Sequence, residues 1–302
     1  MKLRIEKAIY GGASLARIPA DGSSQLAGKA VFVPQSLPGE LVETSIANER
    51  RGYITAALDS ILEPSSARIT PGCEYYGRCG GCHYQHADYE AQLGMKRAIL
   101  IETLERARVS PSVEIRIRYA EPWRYRNRVR LHVTSGPRPS LSYREAASHR
   151  DLAVTHCPVA APLLQQAICA FNQLLQQQPG LTQALSEVEF FTTADESALL
   201  VSLFTHQRKL PQDLWTSVAD PLRAALPQLT GVRAFTLDPK TRRSQPAGGW
   251  GSPALDYSVG LLKYQVSAGA FFQVNRYLIP VLLEEVIAGR QGAIAWDLYS
   301  GV

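Results

Sequence analysis

The stretch Cys73–His86, CEYYGRCGGCHYQH, places three cysteines within ten residues of a chain that has only five. Thiols at that density are cross-linked, liganded or packed as small apolar groups. An odd total argues against a closed disulfide framework, and the opening MKLRIEKAIYGG holds no apolar run of signal-peptide length. No stretch of about 18 apolar residues follows it. A soluble, cytoplasmic chain with no membrane association is therefore expected. In a reducing compartment, ligation becomes the leading account of the cysteines.

Cys73, Cys79 and Cys82 are followed only much later by Cys157, in THCPVA. Four thiolates suit either an iron–sulfur cluster or a structural zinc, and Gly80-Gly81 lets two ligands share a tight turn. A clustered triple plus one distant cysteine before a proline is the commoner cluster pattern, whereas structural zinc usually shows two paired short spacings. Spacing leaves both open. A redox CxxC pair would need a βαβ context that is not evident here. The fifth cysteine, Cys169, flanks a helical stripe of Leu164, Ile168, Phe171 and Leu175 and reads as a core residue.

The net charge of +5 is unevenly spread: residues 64–150 carry 15 basic and 8 acidic groups, so the positive excess lies with the cysteines. Within it, Arg124, Arg126, Arg128 and Arg130 recur every second residue beside Trp123 and Tyr125. In a strand such a row points to one side, where it could bind an RNA backbone with aromatic stacking, or simply form a solvated face.

Three parts are expected. Residues 1–64 read as short apolar runs punctuated by Gly11-Gly12, Pro38-Gly39 and Gly52, the pattern of a small oligonucleotide-binding type β-barrel. Residues 65–264 mix an amphipathic helix near 88–109, a helix over 162–178 and several strand or hairpin patterns, hence an α+β domain with an antiparallel sheet. Residues 265–302 end in AIAWDLYSGV, an apolar strand entering a glycine-containing loop, as at the nucleotide edge of a parallel sheet.

Taken together, the cysteine stretch with THCPV, YGGASLAR, VFVPQSLPGELV, GAFFQVN and WDLYSGV resemble the RNA 5-methyluridine methyltransferase family, along essentially the whole chain. The resemblance implies an N-terminal TRAM barrel, a central domain with a [4Fe-4S] cluster held by Cys73, Cys79, Cys82 and Cys157, and the start of a class I, Rossmann-like methyltransferase domain. It implies S-adenosylmethionine as methyl donor, contacted by Gln273 and Tyr299, and RNA as partner, with 23S ribosomal RNA favoured over transfer RNA and no obligate protein partner. For Gln273 the alternative is an amide that caps a neighbouring helix.

Methylation of uracil at carbon 5 needs a thiolate that adds at carbon 6, and a base that removes the carbon 5 proton. In the family these residues lie further along than Val302, so no catalytic residue is assigned and this polypeptide alone is expected to be inactive. Phe271, Phe272, Leu278, Val281, Leu282, Leu283 and Val286 are expected to form an apolar patch prone to association. The competing reading is a non-catalytic RNA-binding protein stabilised by an iron–sulfur cluster or zinc.

Overall fold

The computed structural model describes residues 1–19, 26–207, 214–238, 240–241, 243–294 and 296. The chain divides into two compact units, Met1–Ile117 and Arg118–Val302.

In the first unit, β1 (Lys2–Ala8), β2 (Ala13–Arg17), β3 (Ala30–Pro34), β4 (Leu41–Glu49) and β5 (Tyr53–Glu63) close a barrel in the order β1-β2-β3-β5-β4. Alternation drives closure: Leu3, Ile5, Val31, Val33, Val42 and Ile54 turn inward from their strands and are almost wholly buried. Gly11 and Gly12 make the β1–β2 turn with φ of 96° and 92°, the left-handed region that glycine enters without strain. The expected small barrel is present, and it has five strands. Past it, α1 (Tyr89–Arg106) begins where the Asp88 carboxylate accepts from the Ala91 amide at 2.7 Å, an N-cap. Its apolar stripe is weaker than the sequence implies, since only Leu93 and Met95 are buried.

The second unit is built on a seven-stranded sheet of β6 (Arg128–Thr134), β7 (Ser140–Arg144), β8 (Asp151–Ala153), β9 (Glu187–Thr192), β10 (Leu199–Thr205), β11 (Leu229–Leu237) and β12 (Ser244–Gly251). The order is β12-β11-β10-β9-β6-β7-β8. The sheet is mixed rather than wholly antiparallel: β10 and β11 run parallel, because α4 (Leu214–Ala225) supplies the crossover that a parallel pair requires. Of the other helices, α2 (Pro162–Gln177) is the main one and α3 (Leu181–Ala184) a single turn; β13 (Ala254–Val259), β14 (Leu262–Ser267) and α5 (Ile279–Ile287) complete the unit.

Adjacent residues of β9 show the layering. Phe190 packs on Phe171 of α2, while Phe191 faces the opposite way, stacked on Tyr257 of β13 and tilted against Phe272. Helix α2 therefore covers one sheet face, and the β13–β14 hairpin with the FFQVN stretch covers part of the other.

Two sequence expectations change here. Cys169 is exposed: it lies about 140° around the helix from Leu164, on the side of α2 away from Ile168, Phe171 and Leu175, so the core reading fails on helical phase. The run EIRIRYA at 114–120, one of the strand patterns expected in the central part, forms no strand, and the paired strand begins at Arg128. Among the described residues no helix is long and apolar enough to cross a membrane.

Candidate functional site

In the first unit Cys73, Cys79 and Cys82 sit on a loop with a tied base, whereas Cys157 belongs to the second unit. Arg68 and Ala87 form an antiparallel bridge, the Ile69 amide donates to the His86 carbonyl at 3.0 Å and the Asp88 amide to the Ala67 carbonyl at 2.8 Å. Inside, the Tyr76 amide donates to the Cys73 carbonyl and the Cys79 amide to the Tyr75 carbonyl, forming tight turns that carry the sulfurs.

This loop is fastened to the barrel. The Tyr84 hydroxyl donates to the Ile9 carbonyl at 3.0 Å, and the Gln35 side-chain amide to the Gly77 carbonyl at 3.2 Å. His86 is buried, hydrogen-bonded to Tyr76, and burial pushes its imidazole below the ordinary value of 6.5. His83 lies so close over Gly12 that a Cβ there would stand 2.6 Å from the His83 Cβ. Gly12→Ala is expected to destabilise this unit by about 1–3 kcal/mol through combined clash and left-handed strain, measured as a lowered denaturation midpoint. An unchanged midpoint would mean that His83 swings away freely.

Cys73, Cys79, Cys82 and Cys157 are thiols, each partly buried. The Gly81 amide donates to the Cys79 sulfur at 3.4 Å, the kind of bond that supports a thiolate ligand. The donor chemistry thus fits a sulfur-ligated group. Among the described residues, however, no three His, Cys, Asp or Glu side chains are gathered as a metal site.

In the second unit, two motifs that the sequence keeps almost 150 residues apart are zipped together. The Asn127 amide donates to the Val274 carbonyl at 3.0 Å, the Arg276 amide to the Tyr125 carbonyl at 2.9 Å, and Arg126 bridges Asn275 antiparallel. The buried Asn127 side chain donates to both the Gln273 carbonyl and the Tyr257 hydroxyl at 3.0 Å. The Arg128 guanidinium reaches the Ala270 carbonyl. Nothing in the residue spacing signals this pairing; a polar Asn127 placed at the entry to an apolar strand is the one hint.

The zipper leaves Gln273 exposed beside a cleft of about 280 Å³, lined also by Asn275, Leu278, Leu282 and, at its rim, the Arg118–Glu285 ion pair. Asn275 closes the turn that leads into α5, its side-chain oxygen Oδ1 accepting from the Tyr277 and Leu278 amides, while α5 itself starts after Leu278 with no side-chain cap. Tyr299 lies outside the described residues. Of the expected apolar patch, Phe271 is 67% exposed and Leu282 and Val286 are exposed, but Phe272 is buried in its own unit's core.

The four arginines do not form a single free row. Arg124 has a φ of 56°, which breaks the alternation, and it is exposed. Arg128, its side chain only 11% exposed, lies 4.1 Å over the Phe191 ring and 3.8 Å from the Glu189 carboxylate. Arg130 is ion-paired with Glu187 at 2.5 Å and lies over Phe204. Burial pushes the Glu189 carboxyl up, against the pull of Arg128 and Arg130. Arg126 is largely enclosed.

No family model matches the chain. It is 32% identical over 291 residues to an uncharacterized RNA methyltransferase of Aquifex aeolicus, covering 95% of this chain and 63% of that protein. It is 34% identical over 239 residues to the 23S rRNA (uracil(1939)-C(5))-methyltransferase RlmD of Chromohalobacter salexigens, covering 78% of this chain and 48% of that one. The chain thus spans about half to two thirds of these curated relatives. Its fold matches the crystal structure of Pyrococcus abyssi tRNA (uracil-54, C5)-methyltransferase in complex with S-adenosyl-L-homocysteine, with a TM-score of 0.70 at 18% identity over 96% of this chain and 65% of that one. The chain belongs to the RNA uracil-C5 methyltransferase family.

Proposed function

We propose that this chain serves S-adenosylmethionine-dependent methylation of uridine carbon 5 in RNA, with 23S ribosomal RNA as substrate. The observation that carries the reading is the zipper between Tyr125–Arg128 and Gln273–Arg276, which fixes the backbone on both sides of Gln273 and presents its amide at a cleft. The names of the relatives support the reaction, and those of the RlmD proteins support the ribosomal substrate.

The methyl donor supplies an electrophilic methyl group when bound. Gln273 and Tyr299 would hold that donor, while Asn127 and Arg128 keep the Gln273 segment from shifting. Arg124 and Arg130, the exposed members of the arginine series, would meet RNA phosphates; Arg126 and Arg128 brace the zipper from within. Uracil carbon 5 becomes nucleophilic only after a thiolate adds at carbon 6. Cys169 is no candidate for that step, since it lies on the solvent side of α2, across the sheet from Gln273. With the other four cysteines assigned as ligands, residues 1–302 by themselves are proposed to bind RNA without methylating it.

Deleting the encoding gene is expected to remove a 5-methyluridine from ribosomal RNA, read by nucleoside mass spectrometry. Unchanged 5-methyluridine in both ribosomal and transfer RNA would sink the proposal, and loss from transfer RNA alone would transfer it to that substrate.

We further propose that Cys73, Cys79, Cys82 and Cys157 ligate a [4Fe-4S] cluster, supported by their residue type, their spacing and the amide bond to the Cys79 sulfur. Anaerobically purified protein is expected to be brown with labile sulfide, and Cys79→Ser to lose most of both iron and colour. A colourless, zinc-loaded protein would replace the cluster with structural zinc.

A further inference from the structure

Arg130, Leu131, His132 and Glu187 line a cleft of about 370 Å³. In the β6–β9 pair Arg130 stands opposite Glu189 and His132 opposite Glu187, so these four side chains share the sheet face turned away from α2. Glu187, its side chain only 8% exposed, accepts from Arg130 Nε at 2.5 Å and has its other oxygen 3.7 Å from His132 Nδ1. The Arg130 guanidinium also lies 3.6 Å over the Phe204 ring, which is itself stacked on Phe235. Arg130 is thus held at Nε and on one face, and its Nη1 and Nη2 groups have no hydrogen-bond partner among the described residues. A guanidinium fixed in this way has already lost much of its side-chain freedom, and its open fork matches two oxygens of a phosphate.

We infer that Arg130 and His132 form a subsite for one phosphate of an RNA backbone, and that the subsite strengthens as His132 takes up a proton. The inference rests on the RNA-binding reading and adds to it a second residue and a pH dependence. A backbone phosphate is favoured over a base because the rings beside Arg130, Phe204 and Phe235, are 1% and 7% exposed and offer no stacking surface. The proton of a neutral His132 belongs at Nδ1, toward the Glu187 carboxylate, so Nε2 donates to an anion only when the ring is charged. His132 shares its face with Arg128 and Arg130 on β6 and with Glu187 and Glu189 on β9. On β7 it stands opposite the neutral Ser142, behind which Asp151 of β8 is paired with Arg144. Arg128 and Arg130 balance Glu187 and Glu189 in number. A proton on His132 therefore gives the cleft a net positive charge, and a bound phosphate in turn favours that proton.

The test titrates a fluorescein-labelled single-stranded RNA with the 302-residue protein and reads anisotropy over a range of salt and pH. Arg130→Gln is expected to bind about tenfold more weakly and to lower the slope of log affinity against log salt by about 0.7, the share of one single-strand phosphate. Arg223→Gln removes the same charge from α4, which packs beside α2 on the opposite sheet face, and should cost less than about twofold. Wild-type affinity should rise about threefold or more from about pH 8 to about pH 6, where histidine takes its charge, and His132→Gln should flatten that rise. Folded Arg130→Gln with unchanged affinity overturns the subsite, as do equal losses from Arg130→Gln and Arg223→Gln, which would report net charge alone. A pH rise that survives intact in His132→Gln overturns it as well. If Arg130→Gln does not fold, the His132→Gln comparison decides by itself. Wild-type protein that binds no RNA at any salt sinks the RNA-binding reading, an outcome distinct from all of these.

Discussion

Glu40→Gln is expected to cost the first unit about 3–5 kcal/mol, the loss typical of breaking one side of a buried ion pair. Glu40 is wholly buried between the barrel and the base of the cysteine loop. Its carboxylate accepts from Arg68 Nη2 at 2.7 Å and from Arg68 Nε, as well as from the Leu37 amide at 2.8 Å and the Ser65 amide at 3.2 Å. Four donors converge on two oxygens, so a neutral amide in the same shape leaves donors unanswered and Arg68 without its counter-charge. Burial, the largest single influence, would raise the Glu40 pKa, yet Arg68 and the two amides outweigh it and the net direction is below the ordinary 4.5. A carboxylate whose folded pKa is depressed adds stability above its unfolded value, and that stability is lost as pH falls through the folded value. Wild type should therefore lose stability progressively as pH drops below about 4.5, and Glu40→Gln should lack this component. Chemical denaturation at several pH values measures both effects. Parallel pH curves for the two proteins would show that the pair is not what ties the loop to the barrel.

The barrel was legible in the sequence because its signal is local. Leu3/Ile5 and Val31/Val33 alternate within single strands, and glycines mark the turns. Residue type and spacing likewise singled out the cysteine loop, but not its anchors. Glu40 and Arg68 are 28 residues apart, and an ion pair between two common charged residues leaves no periodic trace. The arginine series shows the opposite failure. Its period of two imitates a strand face, whereas Arg124 adopts a left-handed conformation and Arg128 turns beneath Ala270. Period-two charge predicts a face only where the backbone is already known to be extended. The zipper was hidden for a topological reason: its two edges are brought together by the seven-stranded sheet and the β13–β14 hairpin, neither of which can be read from either motif.

Phe272→Ala is expected to destabilise the second unit by about 3–5 kcal/mol, the range for deleting a buried aromatic ring. Phe272 packs at 4.6 Å between ring centroids on Tyr257 and at 6.0 Å on both Phe191 and Tyr264, joining β9, β13 and β14 through a single side chain. Its neighbour Phe271 points to solvent and Gln273 faces the cleft, so Phe272 is the anchor that lets the residues on either side of it stay exposed. Removing the ring also loosens the contact under Tyr257, whose hydroxyl accepts from Asn127, and through Asn127 the Gln273 carbonyl. Amide hydrogen exchange should therefore rise at Val266–Asn275 and at Asn127 as the denaturation midpoint falls. Phe271→Ala, one residue away and exposed, should change either by little, within the roughly 0.5 kcal/mol range of ordinary surface substitutions. Equal losses from the two variants would mean that the FFQVN stretch is held by its backbone pairing with Tyr125–Arg128 alone and that the aromatic cluster is dispensable for presenting Gln273.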